Sequence, residues 1–412
     1  MRQAWQALWK RDLAVGFLAA ALIIGLVATA TYLTRGVLPY PSDQFQGWDH
    51  HRYIGLAQTP LSANPELRVA PFVWRPLTPL LVYLSPLSIN ISFAVITWTG
   101  LVLAAFFLYL LLREWGFTRR FRLYGLLFFG ALYHAVAFNF WDFYLTDPLA
   151  LAAFPLAFLL LHKQRYLPLA ALITLAAGNK EVILLLFPTF LLMTLSSRKT
   201  KGVLPSLVTI VLVFLPAAGL TAAIRLLIEP VNDYSFLARA QLLVSQRFAE
   251  GLPAYIEQVG KWSFASWGSL AVLFLLNPLR RLKEVFLVRP WIAVFLTSMF
   301  LQLVFTADAG RLLVYAFPVM VPIGLITLSS LAQRLQVNDL PIAIILLVPH
   351  VALLFVYLTP GPTDIVAVIA VTFAMAALWV TLQALGLAGR GQVVSPTIDM
   401  ALSPNRAPFS AD

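Results

Sequence analysis

The chain is 412 residues long, 60% hydrophobic and only 11% charged, with a formal net charge of +11 and no cysteine. That composition excludes a soluble globular enzyme and a disordered chain, and the missing cysteines exclude disulfides and thiolate metal sites. Several apolar runs reach the roughly 20 residues that a bilayer crossing needs, so the sequence reads as an all-α polytopic membrane protein.

The first run, MRQAWQALWKRDLAVGFLAAALIIGLVATATYL, has a basic flank but no small-residue cleavage pattern after it. It is read as a retained helix over 13–34 rather than a removed signal peptide. Further runs predict helices at 91–112, 122–140, 146–162, 166–178, 181–196, 203–228, 262–277, 290–306, 311–330, 340–358 and 364–388. About twelve crossings put both termini on one side. The basic segments REWGFTRRFR, HKQR, SSRKTKG and NPLRRLKEVFLVR then alternate as cytoplasmic loops, while acidic residues gather on the other side. The positive charge therefore reports membrane orientation and implies no nucleic-acid partner. Residues 1–388 form one membrane domain, and 389–412, rich in Pro and Ser, read as a disordered cytoplasmic tail.

Two stretches break the pattern. YLPLAALITLAAGNKEVILLLFPTFLLMTL is long enough for one helix, yet it is basic at both flanks, and a single crossing would place one basic cluster outside. The reading is a hairpin whose turn, GNKE, lies below the outer surface; charged, broken backbone at that depth is tolerated only where protein or a wet cavity surrounds it. The outer loop GWDHHRYIGLAQTP followed by APFVWRPLTPLL is the other. In it Asp49, Arg52, Tyr53 and Leu56 share one face of a helix, and Pro79 and Pro86 limit the segment after Arg75 to a short interfacial or re-entrant piece. A segment at 229–260, with Phe236, Leu237, Leu243 and Phe248 among charges, reads as an amphipathic interfacial helix or a plain connector.

The ionisable residues fall on one side: Asp49, Arg52, Arg75, Asp142, Asp147, Lys180, Glu181, Asp308 and Arg311. Ionisable groups in a membrane are costly, so a one-sided cluster is a candidate site. Plainer accounts exist for most of them. Asp49 can be the anion at a helix start, Arg75 can snorkel to headgroups, Asp147 before Pro148 can be an N-cap, Lys180 can pair with Glu181, and Asp308 with Arg311. Asp142 has no such account. His50 and His51 are adjacent and point apart on a helix, which disfavours a shared metal.

Taken in order, DHHRYIGLA, PFVWRPLTPLL, DFYLTDPLA, GNKEVILLLFP and DAGRLLVYAFPVMVPI resemble the GT-C superfamily of membrane glycosyltransferases, in the branch of protein O-mannosyltransferases and lipid A aminoarabinose transferases. The resemblance covers about residues 10–330. It implies transfer of a sugar from a polyprenyl-phosphate donor to an acceptor hydroxyl of a glycan, lipid or protein, outside the cytoplasmic membrane. It further implies a greasy groove for the isoprenoid, Arg75, Lys180 and Arg311 as phosphate clamp, Asp49 as general base, and Arg52, Tyr53, Asp142, Asp147, Glu181 and Asp308 as substrate-orienting groups. Many relatives carry a second carboxylate where His50 stands, which weakens the case for a metal held by paired acids and leaves a divalent cation open but unsupported. No cofactor motif is present. The alternative is a transporter or flippase of a lipid-linked saccharide; internally repeated halves, its usual mark, are not found. A shared outer site favours transfer, and a polar path through the midplane favours transport.

Overall fold

The computed structural model describes residues 2–37, 49–60, 67–196, 202–232, 235–249, 251–275, 287–304 and 309–358. Among these the regular structure is helical throughout: α1 (Arg2–Arg35), α2 (Asp49–Gln58), α3 (Leu77–Leu84), α4 (Ile89–Glu114), α5 (Arg119–Gly130), α6 (Ala137–Trp141), α7 (Asp147–His162), α8 (Tyr166–Asn179), α9 (Leu186–Ser196), α10 (Val203–Leu227), α11 (Phe236–Phe248), α12 (Leu252–Trp267), α13 (Ser269–Leu275), α14 (Pro290–Leu301), α15 (Ala309–Leu313), α16 (Phe317–Leu335) and α17 (Asp339–Leu358). Short 3-10 turns occupy Phe72–Trp74, Glu181–Leu185, Gln302–Val304 and Val314–Ala316. Four segments are long and apolar enough to cross a membrane: Arg11–Arg35, Ile89–Glu114, Val203–Leu227 and Gly310–Gln333. Leu18 and Leu22 on α1 and Leu212 and Leu215 on α10 are exposed, as a lipid-facing surface requires.

The centre of the bundle is the contact of α4 with α7. A Cβ on Gly100 would stand 2.8 Å from the Pro148 carbonyl carbon, so only glycine lets the two backbones approach this closely. At one end of the bundle, Asp12, a third of the way along α1, and the start of α5 meet the ends of α4 and α7 in a charged cluster. Tyr109 and Arg122 each donate to an Asp12 carboxylate oxygen at 2.7 Å, and Glu114 pairs with Arg113 and Lys163 at 3.1 Å. These contacts fix the alternating direction of the four helices.

The hairpin is borne out by its packing. Lys180 touches Asp147, while Phe190, ten residues later, packs edge-on against Phe158, eleven residues after Asp147, with ring centroids 5.2 Å apart. The second arm therefore runs back alongside α7. It opens with the 3-10 turn, so α9 starts at Leu186 rather than 181. In the first loop, α2 spans Asp49–Gln58, and α3 is a piece of eight residues whose Pro79 sits in the first turn, where a missing N–H costs little.

Other boundaries differ from the sequence reading. Helix 122–140 is interrupted between Gly130 and Ala137 and divides into α5 and α6. The apolar residues of the interruption are buried, so packing holds the break where hydropathy saw a continuous run. Helix 262–277 begins ten residues earlier, at Leu252, and turns at Gly268, whose φ of +51° is open to glycine at little cost. The amphipathic segment is α11, with Leu237 exposed and Ala240 and Leu243 buried. The predicted helix 364–388 and the tail 389–412 lie outside the described residues.

Candidate functional site

Asn179 organises the site. Its side-chain amide donates to the Thr146 carbonyl at 2.7 Å, and its amide oxygen accepts from Thr78 Oγ1 at 2.5 Å. One residue thus joins the end of α8, the start of α7 and the start of α3. The residues that follow Asn179 and Thr146 in sequence, Lys180 and Asp147, are thereby brought face to face.

Lys180 Nζ donates to Asp147 Oδ1 at 2.6 Å, with both side chains at least 96% buried. The Tyr315 hydroxyl donates to the same oxygen at 2.6 Å, and Arg311 Nε stands 3.4 Å from Oδ2. Arg311 reaches further, donating from Nη2 to Asp49 Oδ2 at 2.9 Å. A second pair lies beside the first. Arg75 grips Glu181 with two parallel bonds of 2.9 Å and donates from Nη1 to the Tyr53 hydroxyl at 3.3 Å. Such forked guanidinium–carboxylate pairs are among the stronger side-chain contacts. His50 Nδ1 is 3.7 Å from Asp142 Oδ2, both buried.

The structure therefore bonds Asp49, Arg311, Asp147 and Lys180 into one network and sets a second, of Tyr53, Arg75 and Glu181, beside it. Asp142 stands beside α2 through His50, and Arg52 is half-buried on α2. Asp308 lies outside the described residues. Two plainer accounts are corrected: Lys180 pairs with Asp147 rather than with neighbouring Glu181, and Asp147 is the first residue of α7 rather than its N-cap. His50 and His51 do not point apart either; their ring centroids are 4.6 Å apart, because His50 turns inward toward Asp142 and Tyr144.

Sequence reasoning missed Tyr315, Asn179 and the His50–Asp142 contact. Tyr315 was within reach, since it follows Arg311 by four residues in DAGRLLVYAFP and so shares its side of a helical turn.

Three cations, Arg75, Lys180 and Arg311, face three carboxylates, Asp49, Asp147 and Glu181. The carboxylates differ in access: 31% of the Asp49 side chain and 28% of Glu181 are exposed, against 2% of Asp147. Lys180 stands in the turn between the hairpin arms, where burial and the like charges of Arg311 and Arg75 push it down to about 8 against the pull of Asp147. Burial raises the Tyr53 phenol, which stays a neutral hydroxyl. Among the described residues, no three His, Asp or Glu side chains form a metal-binding group.

The network is recessed. Pro148, next to Asp147, meets α4 at Gly100, eleven residues from that helix's start, or about 16 Å along a helix of about 39 Å. Beyond it, from Pro148 to Leu161, α7 carries no polar side chain, and the next charged groups are those at the opposite end of the bundle. Compared with protein-family models, with curated proteins and with solved structures, the chain matches none.

Proposed function

We propose that this chain is a multi-pass membrane glycosyltransferase of about twelve crossings. It moves a sugar from a polyprenyl-phosphate donor to an acceptor hydroxyl on the extracytoplasmic face. The observation that carries the reading is the one-sided cluster: three cations recessed in an apolar bundle, of which Arg311 bonds directly to Asp49, the most exposed carboxylate of the set. Recessed cations suit an anionic headgroup whose hydrocarbon tail remains in lipid. Arg75, Lys180 and Arg311 hold the donor phosphate and stabilise the charge that develops on it as it leaves.

In the transfer, the acceptor oxygen forms a bond to the anomeric carbon as the bond from that carbon to the phosphate oxygen breaks. The electron pair leaves with polyprenyl phosphate. The acceptor's proton passes to Asp49, whose Oδ2 is anchored by Arg311 and which is the carboxylate most open to an incoming hydroxyl. Asp147 is the counter-ion of Lys180, and Glu181 and Tyr53 hold Arg75. The acceptor is a glycan, a lipid or a protein.

The apolar stretch of α7 below the network favours transfer over transport, because a transported saccharide headgroup needs polar partners along its whole path. The test is to incubate purified protein with a panel of polyprenyl-phosphate sugars and generic acceptors, and to follow release of polyprenyl phosphate. In parallel, labelled donor is followed across proteoliposome bilayers. Movement of donor between leaflets without release of polyprenyl phosphate would reject the transferase reading.

A further inference from the structure

We propose that Tyr315 is a positioning residue for the phosphate-binding lysine: its hydroxyl shares Asp147 Oδ1 with Lys180 and so sets how much of that carboxylate's charge Lys180 feels. The inference rests on the reading of Lys180 as a ligand of the donor phosphate. The geometry is specific. A single carboxylate oxygen receives two donors at 2.6 Å, Lys180 Nζ and Tyr315 Oη, and Nζ lies 5.4 Å from the centroid of the Tyr315 ring.

Packing alone does not call for the hydroxyl. The Tyr315 ring is fully buried against Phe154, with ring centroids 5.1 Å apart, and a phenylalanine would fill the same space. A buried phenol is tolerated because it is bonded, and here its one bond goes to the counter-ion of a candidate ligand-binding cation. Every hydrogen bond that Asp147 accepts from tyrosine disperses negative charge that Lys180 would otherwise meet. Tyr315 thereby keeps the lysine loosely enough held to turn toward an incoming phosphate.

Among the described residues, the other charged groups facing Lys180 come from four places in the fold. Asp147 comes from α7, Arg311 from α15, Arg75 from the segment before α3, and Glu181 is its neighbour in the turn. Of these only Asp147 is bonded to both Lys180 and Tyr315, so removal of the phenol acts on Lys180 through that carboxylate. Its direction follows. With the hydroxyl gone, Lys180 is paired more strongly, holds its proton to higher pH, and the alkaline limb of phosphate binding moves upward.

The experiment measures binding of farnesyl phosphate, with farnesol as the phosphate-free comparator, to the full chain in detergent from pH 7 to 10. Wild type is expected to prefer farnesyl phosphate and to lose that preference about tenfold per pH unit above about 8. For Tyr315→Phe a limb raised by about one pH unit makes the ratio of binding at pH 9 to binding at pH 7 about fivefold higher than in wild type. 3-Fluorotyrosine installed at position 315 keeps the shape, donates more strongly and moves the limb down; it also serves as the folded variant should Tyr315→Phe not accumulate. Limbs that coincide with wild type, or a uniform loss at every pH, overturn the inference while leaving the phosphate clamp standing. A wild type that binds farnesol as well as farnesyl phosphate removes the clamp and this inference together.

Discussion

The pairing of Lys180 with Asp147 makes a prediction that ordinary packing does not. Replacing Lys180 with Met removes the cation but leaves Asp147 buried, with Tyr315 at 2.6 Å and Arg311 at 3.4 Å as its remaining partners. Breaking a buried ion pair costs about 3–5 kcal/mol, and the two surviving partners put this variant near about 3. Asp147→Asn is worse, because it leaves Lys180, Arg311 and Arg75 with only Asp49 and Glu181 to balance them. Its cost lies near about 5 kcal/mol. The double variant removes both charges and keeps the Arg311–Asp49 and Arg75–Glu181 pairs intact, so it should be more stable than either single variant. The assay is reversible unfolding in mixed micelles titrated with dodecyl sulfate, followed by tryptophan fluorescence. Costs that simply add in the double variant would refute the reasoning, since additivity means that the two charges do not depend on each other.

Asp49→Asn keeps the shape of the side chain but cannot accept a proton, so it should lower transfer by about 10²–10⁴ in protein that unfolds like wild type; near-normal turnover with collapse in Asp142→Asn would move the base to Asp142. Arg75→Ala should weaken donor binding by about 1–3 kcal/mol and acceptor binding less, read from the two Michaelis constants; an unchanged donor constant would take Arg75 out of the clamp. The chain contains no cysteine, so cysteines placed at the exposed positions Gln58 and Gln164 stand alone, and only the first should react with an impermeant thiol reagent on intact cells. Equal labelling would contradict the orientation.

Much of the helical layout could be read from hydropathy and charge, and the exceptions have physical causes. The hairpin around Lys180 was legible because both flanks are basic and a charged turn in an apolar run demands an explanation. The break between α5 and α6 was not. GALYHAV, residues 130–136, offers hydropathy nothing to stop at, and the interruption is held by burial of Leu132, Ala135 and Val136 and by His134 packed against Gly310. Composition registers an apolar residue but not the neighbour it meets.

The charged members of the candidate site were legible for the same reason as the hairpin: a charge inside an apolar bundle is expensive and stands out. Their pairing was not, and Lys180 shows why. Pairing by proximity in sequence joins Lys180 to Glu181, yet Lys180 has an extended backbone, φ −161° and ψ 119°. Successive side chains on extended backbone project to opposite sides. Lys180 is thereby sent to Asp147 on α7, and Glu181 to Arg75 before α3, contacts of 33 and 106 residues' separation. The consequence is mechanical as well as electrostatic. A local pair would have left the hairpin tip free to move as a unit, whereas these crossed pairs pull it from two directions while Asn179 fastens it to Thr146 and Thr78. A charged turn held in this way can present a cation to a ligand at a fixed distance from Asp49, and that fixed distance is what transfer between two bound substrates requires.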